Sequence, residues 1–187
     1  MTKALRYVIL YKTGGLMQYT VLIGGGFKPP HKGHYDFIKF YLDNPDVEKV
    51  ILFCGDKRRD EISIEVTESI LKLYGLFDNP KFDYRRAIRR NGKKGSYTNP
   101  LNDCYDWADD NADSVCGLGW SEKDKSHQHA FGTYFYGIDS IIKPPMFEVK
   151  DRLSATDFRK ALRSDDPIVH FLPEGVCEKE VRSVLGV

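Results

Sequence analysis

Apolar and polar positions along the chain follow two alternating rhythms. YTVLI (19–23) is nearly continuous and rich in β-branched residues, as suits a strand buried on both faces of a parallel sheet. HYDFIKFYLDN (34–44) repeats apolar residues at helical spacing, with Phe37, Ile38 and Tyr41 on one side. VEKVILFC (47–54) predicts a second buried strand, GDKRRDE (55–61) a charged turn, and ISIEVTESILKLYGLF (62–77) a helix ending near Gly75. PKFDYRRAI (80–88) predicts a third strand, RRNGKKGSYTNP (89–100) a loop, LNDCYDWADDNA (101–112) a helix, and DSVCGLGW (113–120) a strand running into a glycine-bearing turn. The stretch from Ser121 to Pro145 begins polar, which predicts a mobile loop over 121–129. Its aromatic centre predicts packing, with Tyr134, Phe135 and Tyr136 in the core. MFEVK (146–150) predicts a short strand, LSATDFRKALRSDD (153–166) a capped helix, and residues 167–187 a helical segment broken at Pro173. Strands alternating with helices predict the α/β class, with a central parallel sheet flanked by helices.

Composition narrows the function classes. With 187 residues the chain is expected to form one domain with its own core. Lys and Arg number 28 against 27 Asp and Glu, so overall charge draws the chain neither to nucleic acid nor to a membrane, and a basic site has to be local. Cys54, Cys104, Cys116 and Cys177 form no C-x-x-C pair, which argues against a zinc ribbon or redox motif and predicts mostly buried thiols in a reducing cytosol. No stretch reaches the roughly 18 to 20 apolar residues of a membrane span. MTKALRYVILYKTGG lacks the long apolar core of a signal peptide, so a cytoplasmic protein is expected. Met17 stands directly before QYTVLIGGGF. It divides residues 1–16, read either as an N-terminal extension or as an added strand RYVILY, from a domain over 17–187.

Between the first strand and the first helix lies GGGFKPPHKGH (24–34), with four glycines, two prolines, two histidines and two lysines. That junction is the carboxyl end of a strand, where α/β folds bind ligands. Glycines there admit backbone N–H groups close to a phosphate, and the helix N-terminus adds its positive dipole. Two imidazoles three residues apart, His31 and His34, face one side and can donate to phosphoryl oxygens as charge builds in a transition state. The general phosphate motifs G-x-x-x-x-G-K-[ST] and G-x-G-x-x-G are absent. A zinc site from His31, His34, His127 and His129 is the competing reading, against which the H-x-x-H spacing and the missing cysteine both speak.

A more specific pattern fits. GGFKPPHKGH resembles the G-x-F-x-P-x-H-x-G-H signature of the HxGH nucleotidyltransferase superfamily, with Gly25, Phe27, Pro29, His31, Gly33 and His34 at its fixed positions. LSATDFR resembles the superfamily's second motif, I-S-S-T-x-x-R, through Ser154, Thr156 and Arg159, while Leu153 and Ala155 depart conservatively. PPHKGH followed by GWSEKD is also similar to bacteriophage-encoded proteins of cytidylyltransferase-like type, which would place the chain in a host cytoplasm. The resemblance implies a Rossmann-like mononucleotide-binding fold. It implies transfer of a nucleoside monophosphate from a triphosphate to a small phosphorylated acceptor, with release of pyrophosphate and with Mg2+ as cofactor. It assigns catalysis to His31 and His34, and nucleotide binding to Gly25, Gly26, Phe27, Gly33, Ser154, Thr156 and Arg159. Pro29 and LSATDFR favour ATP, and the phage-type similarity leaves CTP open.

Other residues carry weaker expectations. Ser154 is a good N-cap, and Arg159 offers a planar fork to phosphate oxygens. Lys28, Lys57, Arg58 and Arg59 are candidate phosphate or acceptor contacts, or solvated charges. Trp120 is a base platform or a packing residue, and Lys123 and Lys125 are triphosphate contacts or surface charges. Asp103, Asp106, Asp109, Asp110 and Asp113 spread around their helix and read as surface charge. The acceptor's identity, a metal site and a homo-oligomer stay open, as does a nucleotide-binding module without turnover.

Overall fold

The computed structural model describes residues 18–92 and 95–187, so both readings of residues 1–16 lie outside the described residues. In chain order the elements are β1 (Tyr19–Gly25), α1 (Lys32–Leu42), β2 (Val47–Cys54), α2 (Ile64–Leu73), β3 (Phe82–Arg86), β4 (Arg89–Gly92), β5 (Gly95–Thr98), α3 (Pro100–Asp110), β6 (Cys116–Leu118), α4 (Lys125–Tyr134), α5 (Ala155–Arg163) and α6 (Glu178–Leu185).

The expected parallel sheet is present, in the order β3-β2-β1-β6 with every neighbouring pair parallel. Residues on β1 and β2 alternate between two cores. Val21, Ile23, Val50 and Leu52 pack with Ile38 and Tyr41 of α1, Ile70 and Leu71 of α2, Phe158 of α5 and Val181 of α6. Leu22, Ile51 and Phe53 face the other way, onto Cys104 and Ala108 of α3 and Phe131 of α4. Both faces are therefore covered, which is why the two strands read as unbroken apolar runs. The strand order reverses at β1, with β2 and β3 on one side and β6 on the other. In an open parallel sheet that reversal opens a crevice at the carboxyl ends of the strands.

Several expectations are corrected. The loop over 89–100 holds an antiparallel hairpin, β4 with β5, pairing Arg89 with Thr98 and Gly92 with Gly95. It carries almost no apolar residues, so the period-two signal of a strand was missing. The mobile loop over 121–129 is instead a capped helix start. Ser121 Oγ donates to Asp124 Oδ2 at 2.6 Å, Ser121 N donates to the same oxygen at 3.2 Å, and α4 follows at once. The polar run SEKD is a capping box, which polarity alone does not separate from a loop. MFEVK forms only one bridge, Phe147 with Ser121. Of the three central aromatics only Phe135 is buried, while Tyr134 and Tyr136 are 64% and 90% exposed, because they fall at the end of α4 and just beyond it. Asp103 is no surface charge. It is 2% exposed and accepts from Arg90 at 2.8 Å and from the Ile88 backbone N–H at 3.3 Å, tying the hairpin to α3. Cys177 is exposed and the other three cysteines are buried.

Candidate active site

The turn between β1 and α1 is pinned from three directions. Thr67 Oγ1 and Tyr74 OH, from α2 and its C-terminal end, donate to the carbonyls of Phe27 at 3.2 Å and Pro30 at 2.9 Å. Gly55 N, after β2, donates to Gly25 O at 3.0 Å, and the buried Lys28 ammonium returns a bond to Gly55 O. From α5, Arg159 donates to Lys28 O at 2.6 Å. The turn thus spends its carbonyls on bonds within the protein, the preorganisation that a charge-stabilising site requires. The two motifs, far apart in sequence, meet in that last contact.

His31 is the N-cap residue of α1, and His34 sits in its first turn. Their rings stack with centres 3.8 Å apart and planes 24° from parallel. A side chain at Gly33 would place its Cβ 3.1 Å from the His31 ring, so glycine keeps that ring's berth open. The His31 backbone N–H donates to His34 Nδ1 at 3.3 Å, which assigns the proton of neutral His34 to Nε2 and makes that nitrogen a donor. His31 Nδ1 is buried and has no protein partner among the described residues. Burial, reinforced by the Lys123 charge, lowers the His31 pKa to about 4. Burial, then His31 and Lys123, hold His34 well below the ordinary imidazole range. Both rings are neutral at physiological pH and act as hydrogen-bonding groups rather than fixed cations.

A cleft of two lobes surrounds the turn, sharing Gly24, Gly25, Gly26, Phe27 and Leu101. The first lobe, about 260 Å³, holds His31, Gly33, His34, Lys123 and His127 against the apolar walls Phe37, Leu118, Phe147 and Leu153. The second, about 470 Å³, is basic, lined by Lys28, Lys57, Arg59, Thr156 and Arg159 with Thr98 and Asn99 from the end of the hairpin. Such a cleft suits a ligand with a flat apolar part and several anionic groups.

The candidates read from the sequence divide accordingly. Gly25, Gly26, Phe27, Lys28, His31, Gly33, His34, Lys57, Arg59, Lys123, Thr156 and Arg159 line one lobe or the other. Ser154 lines neither. Its Oγ caps α5, accepting from Asp157 N at 3.1 Å. Arg58 is turned to Glu61 at 3.7 Å and Lys125 to Glu122 at 3.6 Å, both outside the lobes. Trp120 also lies outside them. Its ring is buried, its Nε1 donates to Pro144 O at 2.8 Å, and the Lys143 ammonium sits 4.5 Å from the ring centre, so its packing reading holds. Sequence reasoning missed Asp124 as a cleft residue and grouped His127 with His31 and His34 only in the zinc reading, because the segment read as a loop; the capping pair Ser121 and Asp124 was the available signal. Among the described residues, no three His, Cys, Asp or Glu side chains converge to hold a metal ion, and no helix is long and apolar enough to cross a membrane.

Comparison with known proteins follows the same line. No family model matches the chain. A curated protein of Leptospira interrogans serogroup Icterohaemorrhagiae serovar copenhageni, named "Probable nicotinate-nucleotide adenylyltransferase", is 37% identical over 72 residues. That match spans 37% of this chain and 35% of the relative, about a third of its length. Plasmodium falciparum nicotinic acid mononucleotide adenylyltransferase, solved with NaAD, superposes with a TM-score of 0.60 at 8% identity, over 90% of this chain and 94% of that one. A bifunctional NMN adenylyltransferase/ADP ribose pyrophosphatase from Francisella tularensis, solved with AMP and a manganese ion, gives 0.60 at 16% identity over 91% of this chain and 50% of that one. Adenylyltransferases of this type fall within the HxGH nucleotidyltransferase superfamily. The chain has their Rossmann-like fold, and its GGFKPPHKGH and LSATDFR segments resemble the two motifs of that superfamily.

Proposed function

We propose that the protein transfers AMP from ATP to a small phosphorylated acceptor and releases pyrophosphate. The observation that carries this reading is the stacked, neutral pair His31 and His34 at the edge of a shared glycine turn, with an apolar lobe on one side and a basic lobe on the other. The base and ribose of ATP fit the first lobe, against the apolar wall that Phe37 and Phe147 form together. The phosphates then pass the imidazoles toward Thr156 and Arg159, and the acceptor's phosphate is met by Lys57 and Arg59.

In the reaction an acceptor phosphate oxygen attacks the α-phosphorus in line. A new P–O bond forms as the bond to the β-phosphate's bridging oxygen breaks, and pyrophosphate carries the electron pair away. Such a transfer needs position and charge stabilisation rather than an enzyme nucleophile. The Nε2–H of neutral His34 supplies a donor where charge grows on the α-phosphoryl oxygens. His31 packs behind it and fixes its plane. Mg2+, the cofactor this reading calls for, would bind the phosphates of ATP and offset their charge.

The acceptor class proposed first is a pyridine mononucleotide, since the Leptospira, Plasmodium and Francisella proteins carry nicotinate- or nicotinamide-nucleotide names. ATP is favoured over CTP for the same reason and by the form of both motifs. Pyrophosphate release, measured with ATP or CTP against nicotinate mononucleotide, nicotinamide mononucleotide, phosphopantetheine, a sugar phosphate and a polyol phosphate, tests the reading. Release with ATP and a pyridine mononucleotide is expected. No release with any pair, despite nucleotide binding, would make the protein a binding module and defeat the proposal.

A further inference from the structure

We propose that Asp60 is a displaceable internal anion on a phosphate-binding pair formed by Arg159 and Arg163, so that a phosphoryl group of the substrate enters by replacing the Asp60 carboxylate. The inference rests on the nucleotidyl-transfer reading and names a second arginine and a gating carboxylate for it. A single oxygen, Asp60 Oδ2, accepts from Arg159 Nε at 2.8 Å and from Arg163 NH1 at 2.7 Å. The two arginines are four residues apart on α5, so both guanidiniums leave the helix on one face, Arg159 within the basic lobe and Arg163 one turn beyond it. One carboxylate oxygen shared by two guanidiniums stands where a phosphoryl group, with three acceptor oxygens, would serve both better.

The arginines and the carboxylate are held differently. Arg159 keeps two further contacts, to Lys28 O at 2.6 Å and Thr156 Oγ1 at 3.1 Å, and its side chain is only 15% exposed, so it stays in place when Asp60 departs. The Asp60 side chain is 51% exposed, and exposed ion pairs are weak locks. The two guanidiniums, Arg163 foremost, hold its carboxyl below the usual range, so it is an anion at neutral pH. Its backbone is strained: Asp60 and Glu61 have φ of 46° and 64°, the left-handed region that non-glycine residues rarely adopt. The flanking bridge between Arg59 and Ile62 fixes the ends of this tight turn. Release of the carboxylate therefore leaves the Arg159 guanidinium held in the lobe by Lys28 O and Thr156, with the exposed Arg163 guanidinium one turn beyond it and free to follow the incoming anion.

Calorimetric titration of inorganic pyrophosphate, which needs no turnover, tests this with wild type, Asp60→Asn, Arg163→Gln and the double variant. Asp60→Asn is expected to tighten pyrophosphate binding on the order of threefold to tenfold at low ionic strength. Arg163→Gln is expected to loosen it by a similar factor and to remove the gain in the double variant. Unchanged or weaker binding in Asp60→Asn would make Asp60 an anchor for Arg159 and overturn the proposal. Arg163→Gln, a surface change that leaves the core alone, overturns it independently if its affinity equals wild type. Pyrophosphate effects as expected without AMP transfer to any acceptor would sink the transfer reading and keep the displaceable anion. No pyrophosphate binding in any variant would end both.

Discussion

The imidazoles of His31 and His34 stack with centres 3.8 Å apart, and the His31 backbone N–H reaches the partner ring's Nδ1 at 3.3 Å. This arrangement needs both rings uncharged. Burial, then the Lys123 charge, disfavours a proton on His31, and burial, then His31 and Lys123, disfavours one on His34.

A pH dependence of stability follows. The His31 pKa is about 4 in the folded protein against about 6.5 unfolded, so below 6.5 the unfolded chain takes up the proton first. Its contribution to stability is complete above pH 6.5, declines as pH falls from there to about 4, and then levels off. The full loss is on the order of 3 kcal/mol for this one group. Urea denaturation at pH 7.5 and 5 should show wild type losing markedly more stability than His31→Asn over that interval. Parallel losses in the two proteins would refute the assignment.

His34→Ala removes the donor assigned to the reacting phosphoryl group while leaving the sheet and its two cores untouched. Turnover should drop by about 100- to 1000-fold with a KM for ATP within a few-fold of wild type, as expected when a contact acts mainly in the transition state. Steady-state kinetics settle it; near wild-type kcat would leave the pair without a catalytic part.

Much of the fold was legible because the parallel sheet is buried on both sides. β1 and β2 announce themselves as apolar runs, and α1 and α2 as helical periods. The hairpin β4 and β5 was illegible because its stabilisation comes from Arg90 gripping Asp103 and Asp106 rather than from buried apolar residues. Polar tertiary contacts leave no periodic trace. The site was legible to the extent that its candidates sit in two compact motifs, and the fold brings His31, His34, Thr156 and Arg159 of those motifs to one cleft. Asp124, which lines the cleft just before α4, and the pair Asp60 and Arg163 depend on which distant segments meet, and spacing along the chain does not encode that.

Arg159 makes three contacts through three different nitrogens, to Asp60, Lys28 O and Thr156. A lysine has one nitrogen on a flexible stem and cannot span them. Arg159→Lys should raise the Kd for ATP by about tenfold, the cost of one charge-assisted contact, with the melting temperature reduced only slightly. Titration calorimetry with a non-hydrolysable ATP analogue would show it. Equal affinity would mean that Arg159 serves the turn's shape and not the nucleotide.

The glycines of the turn should differ from one another in a testable way. A Cβ at Gly24 would lie 2.8 Å from the carbonyl carbon and oxygen of Pro100, the first residue of α3, where backbone has to move rather than a flexible side chain. A Cβ at Gly26 meets nothing within 4 Å. Gly24→Ala should therefore cost about 1 to 3 kcal/mol of stability by overpacking, and by pushing α3 outward it should distort Leu101, which both lobes share. Gly26→Ala should keep wild-type stability, yet its new methyl group stands in the cleft where phosphates are proposed to pass close to the backbone. Its KM for ATP should rise several-fold with the melting temperature unchanged. Chemical denaturation and kinetics on the two variants separate the glycine that lets two elements meet from the glycine that makes room for a ligand. If Gly26→Ala binds ATP like wild type, the phosphates do not run along this turn, and the donor's path through the cleft has to be redrawn.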